Sequence, residues 1–167
     1  MTPARASSRM FARAARLVLL CAGFAIAGCS AKPTDDDQWL ARAEAANSLS
    51  DRFIAEGRVP EARDVLRATE ERLSTSGNAD AHTVRRDLLY RLAEIELSSG
   101  NAKAAADWAT RGLGLGRPID AFTTNLLIVR GRASEQMNDA VGASRDYHDA
   151  LVITEALLDQ SLEGRAP

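Results

Sequence analysis

Residues 55–66 read AEGRVPEARDVL, and the same pattern returns as SSGNAKAAADWA at 98–109 and QMNDAVGASRDYHDA at 136–150. Each stretch carries a residue suited to a turn, Gly57, Gly100 or Asn138, followed five positions later by Ala62, Ala105 or Ala143. Four positions further on stand Leu66, Ala109 (with Trp108 beside it) and Tyr147. Glycine and asparagine are the residues that most readily close a helix in a left-handed conformation, and apolar residues three or four apart mark a helix that buries one face. The spacing predicts three copies of a helix-turn-helix unit.

From Trp39 onward Ala, Leu, Arg and Glu are abundant and no run of alternating β-branched residues occurs, so the whole region is expected to be helical. Breaks at 57–60, at STSGNAD (74–80), at 99–101, at GLGLGRP (112–118) and at 138–139 place helices at about 37–56, 60–74, 80–98, 102–113, 118–137 and 140–162. Pro60 and Pro118 are expected at helix starts, where a missing amide hydrogen costs nothing. The last helix carries Tyr147, Leu151, Ile153, Thr154, Leu157, Leu158 and Leu162 on a broad apolar stripe.

These positions resemble the tetratricopeptide repeat, a helix-turn-helix unit of about 34 residues. Its small residue in the first helix is matched by Ser50, Ala93 and Gly131, and its later small position by Thr69, Gly112 and Ala150. The large apolar position before the small one is Leu49 and Leu92, but Arg130 in the third repeat, which departs from the pattern. Turn residues 43 and 38 positions apart put extra residues into the connections, at STSGNADAH and around GRPID. The resemblance covers about 43–157. It implies an all-α protein of three stacked helix-turn-helix pairs, a right-handed α-solenoid. Stacking is also what the physics asks for, because a helical pair that is apolar on both sides cannot bury itself alone.

Upstream, the chain changes character. Arg5, Arg9, Arg13 and Arg16 are the only charged residues of 1–28, and 17–28 read LVLLCAGFAIAG. Twelve apolar residues make about 18 Å of helix, too short for a bilayer core of about 30 Å, so the segment reads as a cleavable signal rather than a permanent span. It ends in Ile26-Ala27-Gly28-Cys29, which resembles the lipobox of bacterial lipoproteins. The resemblance implies cleavage before Cys29 and attachment of diacylglyceryl and N-acyl lipid to its thiol, leaving three regions: signal 1–28, lipidated tether 29–36 and repeat domain 37–163. In the tether, Thr34 and Asp37 are expected to cap the first helix. Losing the signal removes four of 21 basic side chains, leaving 17 against 23 acidic and a formal charge of −6. A mildly acidic module has no electrostatic reason to seek nucleic acid. Cys21 leaves with the signal, so no disulfide is expected in the mature domain.

No catalytic or metal-binding constellation emerges. His82 and His148 lie in different pairs without metal-ligand spacing, and GLGLG lacks the strand and GK[ST] ending of a phosphate loop. Glu61, Arg63, Asp64, Arg67, Glu70, Glu71 and Arg72 read as a solvated face of paired charges. Neither a cofactor nor enzymatic activity is expected.

What remains is a surface. The tetratricopeptide resemblance implies a groove lined by the first helix of each pair: Glu44, Asn47, Asp51 and Ile54, then Asp87, Tyr90, Glu94 and Leu97, then Asn125, Ile128, Arg132, Glu135 and Gln136. With Arg132 its one basic member, this lining lacks the basic clamp used for terminal carboxylates and suits a peptide discriminated by charge. Ser30 directly after Cys29 resembles the pattern exported to the outer membrane, so the expected protein is a periplasm-facing outer-membrane lipoprotein binding another envelope protein as scaffold or assembly factor. Proteins of that description serve secretins, type IV pili and cell-wall hydrolases. Two alternatives remain open: a small-ligand protein or enzyme with a carboxylate-lined pocket, and a self-assembling lipoprotein, which an exposed apolar face on the last helix would favour.

Overall fold

The computed structural model describes residues 35–74 and 79–164. The lipobox, Cys29, Thr34 and most of the STSGNAD connection lie outside the described residues. Six helices follow one another with no strand among the described residues: α1 (Asp35–Ala55), α2 (Val59–Leu73), α3 (Ala79–Ser98), α4 (Ala102–Gly114), α5 (Ala121–Gln136) and α6 (Ala140–Glu163).

The three repeated turns adopt one geometry. Gly57, Gly100 and Asn138 stand at φ of 74°, 79° and 61°. After each, the next amide reaches back five residues, Arg58 to Phe53, Asn101 to Glu96 and Asp139 to Ser134, at 2.7–2.8 Å. The turn residue's own amide bonds three residues back, to Ile54, Leu97 or Glu135. This is the Schellman closure, which satisfies carbonyls a helix end leaves orphaned. Arg58, Asn101 and Asp139 then share φ near −93° and begin the second helix of the pair. Their carbonyls accept from the amides of Ala62, Ala105 and Ala143, all three buried.

One connection differs from expectation. Pro118 does not open α5; the helix starts at Ala121, and the Asp120 side chain caps it by accepting from the Thr123 amide at 2.8 Å. A carboxylate that satisfies an orphan amide outcompetes a proline that merely tolerates the position. Pro60, by contrast, lies in the first turn of α2 as expected.

Each helix packs on the next in sequence, and α1, α3 and α5 also pack on one another in order. No Cα of α2 comes within 8 Å of α4, nor any of α4 within 8 Å of α6. The pairs therefore stack as a helical-pair solenoid that curves with its first helices inside and its second helices splayed outside.

Two clusters form the core. The first joins Ala43, Ala62, Leu66, Leu73, Leu88, Leu92 and Ile95; the second joins Ala93, Leu97, Ala105, Ala109, Leu126, Leu127 and Val129, with Trp108 packed against both. Small residues set the closeness of the layers. A Cβ on Gly131 would lie 2.7 Å from Tyr147 Cε1, and one on Gly112 would lie 2.7 Å from Leu126 Cδ2. The third repeat replaces its large apolar position by charge: Arg130 grips Asp146 with two bonds of 2.7 and 2.6 Å. Val65 and Trp108 occupy the register position of Asp146 in the other pairs, as Leu49 and Leu92 occupy that of Arg130. The ion pair stands at register positions that carry apolar residues in the other two pairs, and Asp146 raises the Arg130 pKa through that hydrogen bond.

Candidate functional site: the face of the first helices

Counted back from each turn, the groove positions fall at equivalent register positions of α1, α3 and α5. Asn47, Tyr90 and Ile128 form one row, Asp51, Glu94 and Arg132 the next, and Ile54, Leu97 and Glu135 the one nearest the turns. Glu44, Asp87 and Asn125 lie one row toward the helix starts, and Gln136 stands exposed at the end of α5. Ile54 and Ile128 are 44% and 38% exposed, large for aliphatic side chains, and Tyr90 is half-buried.

Leu97 does not belong to the surface. It is 2% exposed, clustered with Ala102 and Ala105 of α4 and Ala133 of α5. Residues of α4 and α5 cover it, whereas the equivalent Ile54 on α1 is left open.

The polar members bind one another across the helices. Asn47 Nδ2 donates to Asp87 Oδ2 at 2.8 Å, Arg91 donates to Asp51 Oδ1 at 3.0 Å and to Asp87 Oδ2 at 3.3 Å, and Arg132 donates to Glu94 Oε1 at 2.8 Å. Tyr147 of α6 donates its hydroxyl to Glu135 Oε2 at 2.8 Å. Arg91 escaped the sequence reading because its register matches no groove position; only the stacking of α3 on α1 brings it over Asp51. The face thus has two arginines, not one. Burial, with Glu94 adding to it, raises the Tyr90 phenol above its ordinary value, so this hydroxyl remains a donor at neutral pH.

Between α1 and α3 an open-sided cleft of about 280 Å³ is lined by Ser50, Asp51, Ile54, Tyr90, Arg91, Glu94 and Ile95. Ser50 is 1% exposed, and its hydroxyl meets no partner among the described residues; the same holds for Asn47 Oδ1.

Charges assigned to a solvated face of α2 behave unevenly. Arg58–Glu61 and Asp64–Arg67 are surface pairs as expected. Glu70 is a correction: it is wholly buried, held by Arg85 of α3 at 2.8 Å and Arg111 of α4 at 3.0 Å, while Arg111 stacks 4.4 Å from the Trp108 ring. The signal was present in the sequence, since Ala62, Leu66, Glu70 and Leu73 are spaced as one stripe. Arg63 Nε lies 2.7 Å from the nearly buried Glu96, at an angle outside hydrogen-bonding geometry. Arg86 pairs with Asp120 at 2.9 Å and bonds Thr123, tying α3 to the start of α5.

Among the described residues no group of three or more His, Cys, Asp or Glu could hold a metal ion. No described helix is long and apolar enough to cross a membrane.

No protein-family model matches the chain, and no curated protein matches it. Among solved structures, it is similar to the globular C-terminal domain of LpoP from P. aeruginosa, at 25% identity and a TM-score of 0.54, over 65% of this chain and 94% of that one.

Proposed function

We propose that this chain is a lipid-anchored protein of the bacterial cell envelope that holds a partner protein on the concave face of a tetratricopeptide-like array, without catalysing a reaction. The observation that carries the proposal is the continuous surface of α1, α3 and α5, with aliphatic side chains left open and polar side chains meeting across 38 or 40 residues of sequence. Exposed ion pairs of this kind are worth at most about 1 kcal/mol, so a partner's charges can replace them at little cost. Likeness to a globular C-terminal domain supports the division into an N-terminal anchor segment and a C-terminal binding domain. Acylation of Cys29, with Ser30 directing the protein to the outer membrane, would keep the groove at one surface and raise its effective concentration toward partners there.

Metabolic labelling with an alkyne fatty acid tests the anchor: the native chain takes up label and fractionates with the outer membrane, and Cys29→Ser does neither. Photo-crosslinker placed at Tyr90 and at Ile128 tests the groove: both sites capture the same envelope protein, and a crosslinker at Lys103, on the outer helix α4, does not. Equal capture from Lys103 would remove the concave face from the proposal.

Self-association is a second reading, favoured by Leu151, Val152, Leu158 and Leu162 of α6, each at least half exposed. Sedimentation of the native chain beside Leu158→Glu decides it: an oligomer that Leu158→Glu dissociates supports self-association.

A further inference from the structure

We propose that the cleft between α1 and α3 is the specificity pocket of the groove, and that it takes one aliphatic side chain from an extended segment of a partner protein, with a basic residue beside it. This rests on the groove reading and deepens it by naming the chemistry of the partner.

Size argues first. At about 280 Å³ and open on one side, the cleft falls below the roughly 300–1,000 Å³ that encloses a drug-sized ligand, yet it has room for one side chain and the backbone carrying it. Its composition argues next. Ile54, Ile95 and the Tyr90 ring give apolar walls, and Ile54 keeps 44% of its surface open. Ser50, 1% exposed, adds a small side chain to the lining between these walls. Charge then selects the occupant. Asp51 and Glu94 flank the opening, and over the whole face Glu44, Asp51, Asp87, Glu94 and Glu135 outnumber Arg91 and Arg132. A basic residue next to the inserted side chain can displace Arg91 from Asp51 or Arg132 from Glu94, both held in solvent-exposed pairs. An anionic lipid surface meets repulsion from the same carboxylates.

The test uses the full chain in detergent and short fluorescein-labelled peptides Gly-Ser-Lys-Xaa-Lys-Ser-Gly, with Xaa leucine or glycine, and a Glu-Leu-Glu counterpart, read by anisotropy. The leucine peptide is expected to bind about tenfold or more tightly than the glycine peptide, the scale set by burying one aliphatic side chain, and the Glu-Leu-Glu peptide to bind more weakly still. Ile54→Glu, at an exposed position that the fold tolerates, should abolish the leucine preference. Asp51→Lys should narrow or reverse the preference for lysine over glutamate, and Leu158→Glu on α6 should change neither. Methyl shifts of Ile54 and Ile95 on titration place the leucine in the cleft. Peptides that bind with Lys-Leu-Lys no better than Lys-Gly-Lys overturn the specificity pocket and leave the groove standing, whereas no peptide binding together with no crosslink at Tyr90 or Ile128 overturns both. A dimer that Ile54→Glu dissociates makes a second copy of this chain the occupant and equally overturns the proposal.

Discussion

Replacing Glu70 should damage this fold more than replacing any other acidic residue on α2. Its carboxylate is 0% exposed and serves two guanidinium groups: Arg85, whose side chain is 11% exposed, and Arg111, which is 49% exposed. Removing the carboxylate leaves these two cations in unequal trouble. Arg111 can turn to water, but Arg85 stays largely desolvated with its counter-charge gone, and breaking one side of a buried pair costs about 3–5 kcal/mol. Glu70→Leu is expected in that range. Glu70→Gln retains an oxygen for Arg85 and should lose about 1.5–3 kcal/mol, the worth of hydrogen bonds to a charged group. The double variant Glu70→Leu/Arg85→Leu removes both buried charges and should recover most of the loss, since apolar replacement of a whole buried pair is often neutral or stabilising. Urea unfolding followed by helical circular dichroism measures all three. With a slope of about 1–3 kcal/mol per molar urea, a 3 kcal/mol loss moves the midpoint by about 1–3 M. A Glu70→Leu midpoint within error of the native chain, or a double variant whose loss is the sum of the two singles, refutes a buried pair that joins α2 to α3 and α4.

Gly57→Ala and Gly100→Ala should each cost about 1 kcal/mol, because nothing lies within 4 Å of the added methyl and only the left-handed backbone is strained; Asn138→Gly should be neutral or slightly stabilising in the same unfolding assay. Gly131→Leu should lose at least about 1–3 kcal/mol by overpacking against the Tyr147 ring, and Tyr147→Ala should restore part of it. Burial, with the Glu135 hydrogen bond adding to it, pushes the Tyr147 phenol up from 10.0 to about 12. A raised folded pKa means that the unfolded chain loses this proton first, so stability is complete below pH 10 and falls as pH rises toward about 12. Tyr147→Phe should flatten that alkaline decline in thermal melts taken across the window.

How far the candidate site was legible follows from how far each feature reaches along the chain. The rows of the groove came from counting back from Gly57, Gly100 and Asn138; of the row Asp51, Glu94 and Arg132, Glu94 bonds Arg132 and lines one cleft with Asp51. Leu97 shares the register yet is buried, because α4 and α5 bring Ala102, Ala105 and Ala133 into its cluster. Arg91 lies outside the register yet enters the cleft, because a long side chain reaches across to the next helix. Glu70 was misplaced by treating charge as a mark of solvent, although its spacing from Leu66 and Leu73 put it on the buried stripe.

By itself, the sequence determined six helices, three turns of one kind and the pairing of each helix with the next. Those features depend on local physics: helix periodicity, the left-handed conformation that glycine and asparagine accept, and short connections that force neighbours together. Only the tertiary structure decided which charges meet. Glu70 finds Arg111 from 41 residues away, Asp51 finds Arg91 from 40, and Glu94 finds Arg132 from 38. The physical reason is that such pairings depend on the offset between stacked repeats. Here the connections make that offset unequal, and close packing between successive pairs, as of Gly112 on α4 against Leu126 on α5, helps shape it, which no periodicity within one helix encodes.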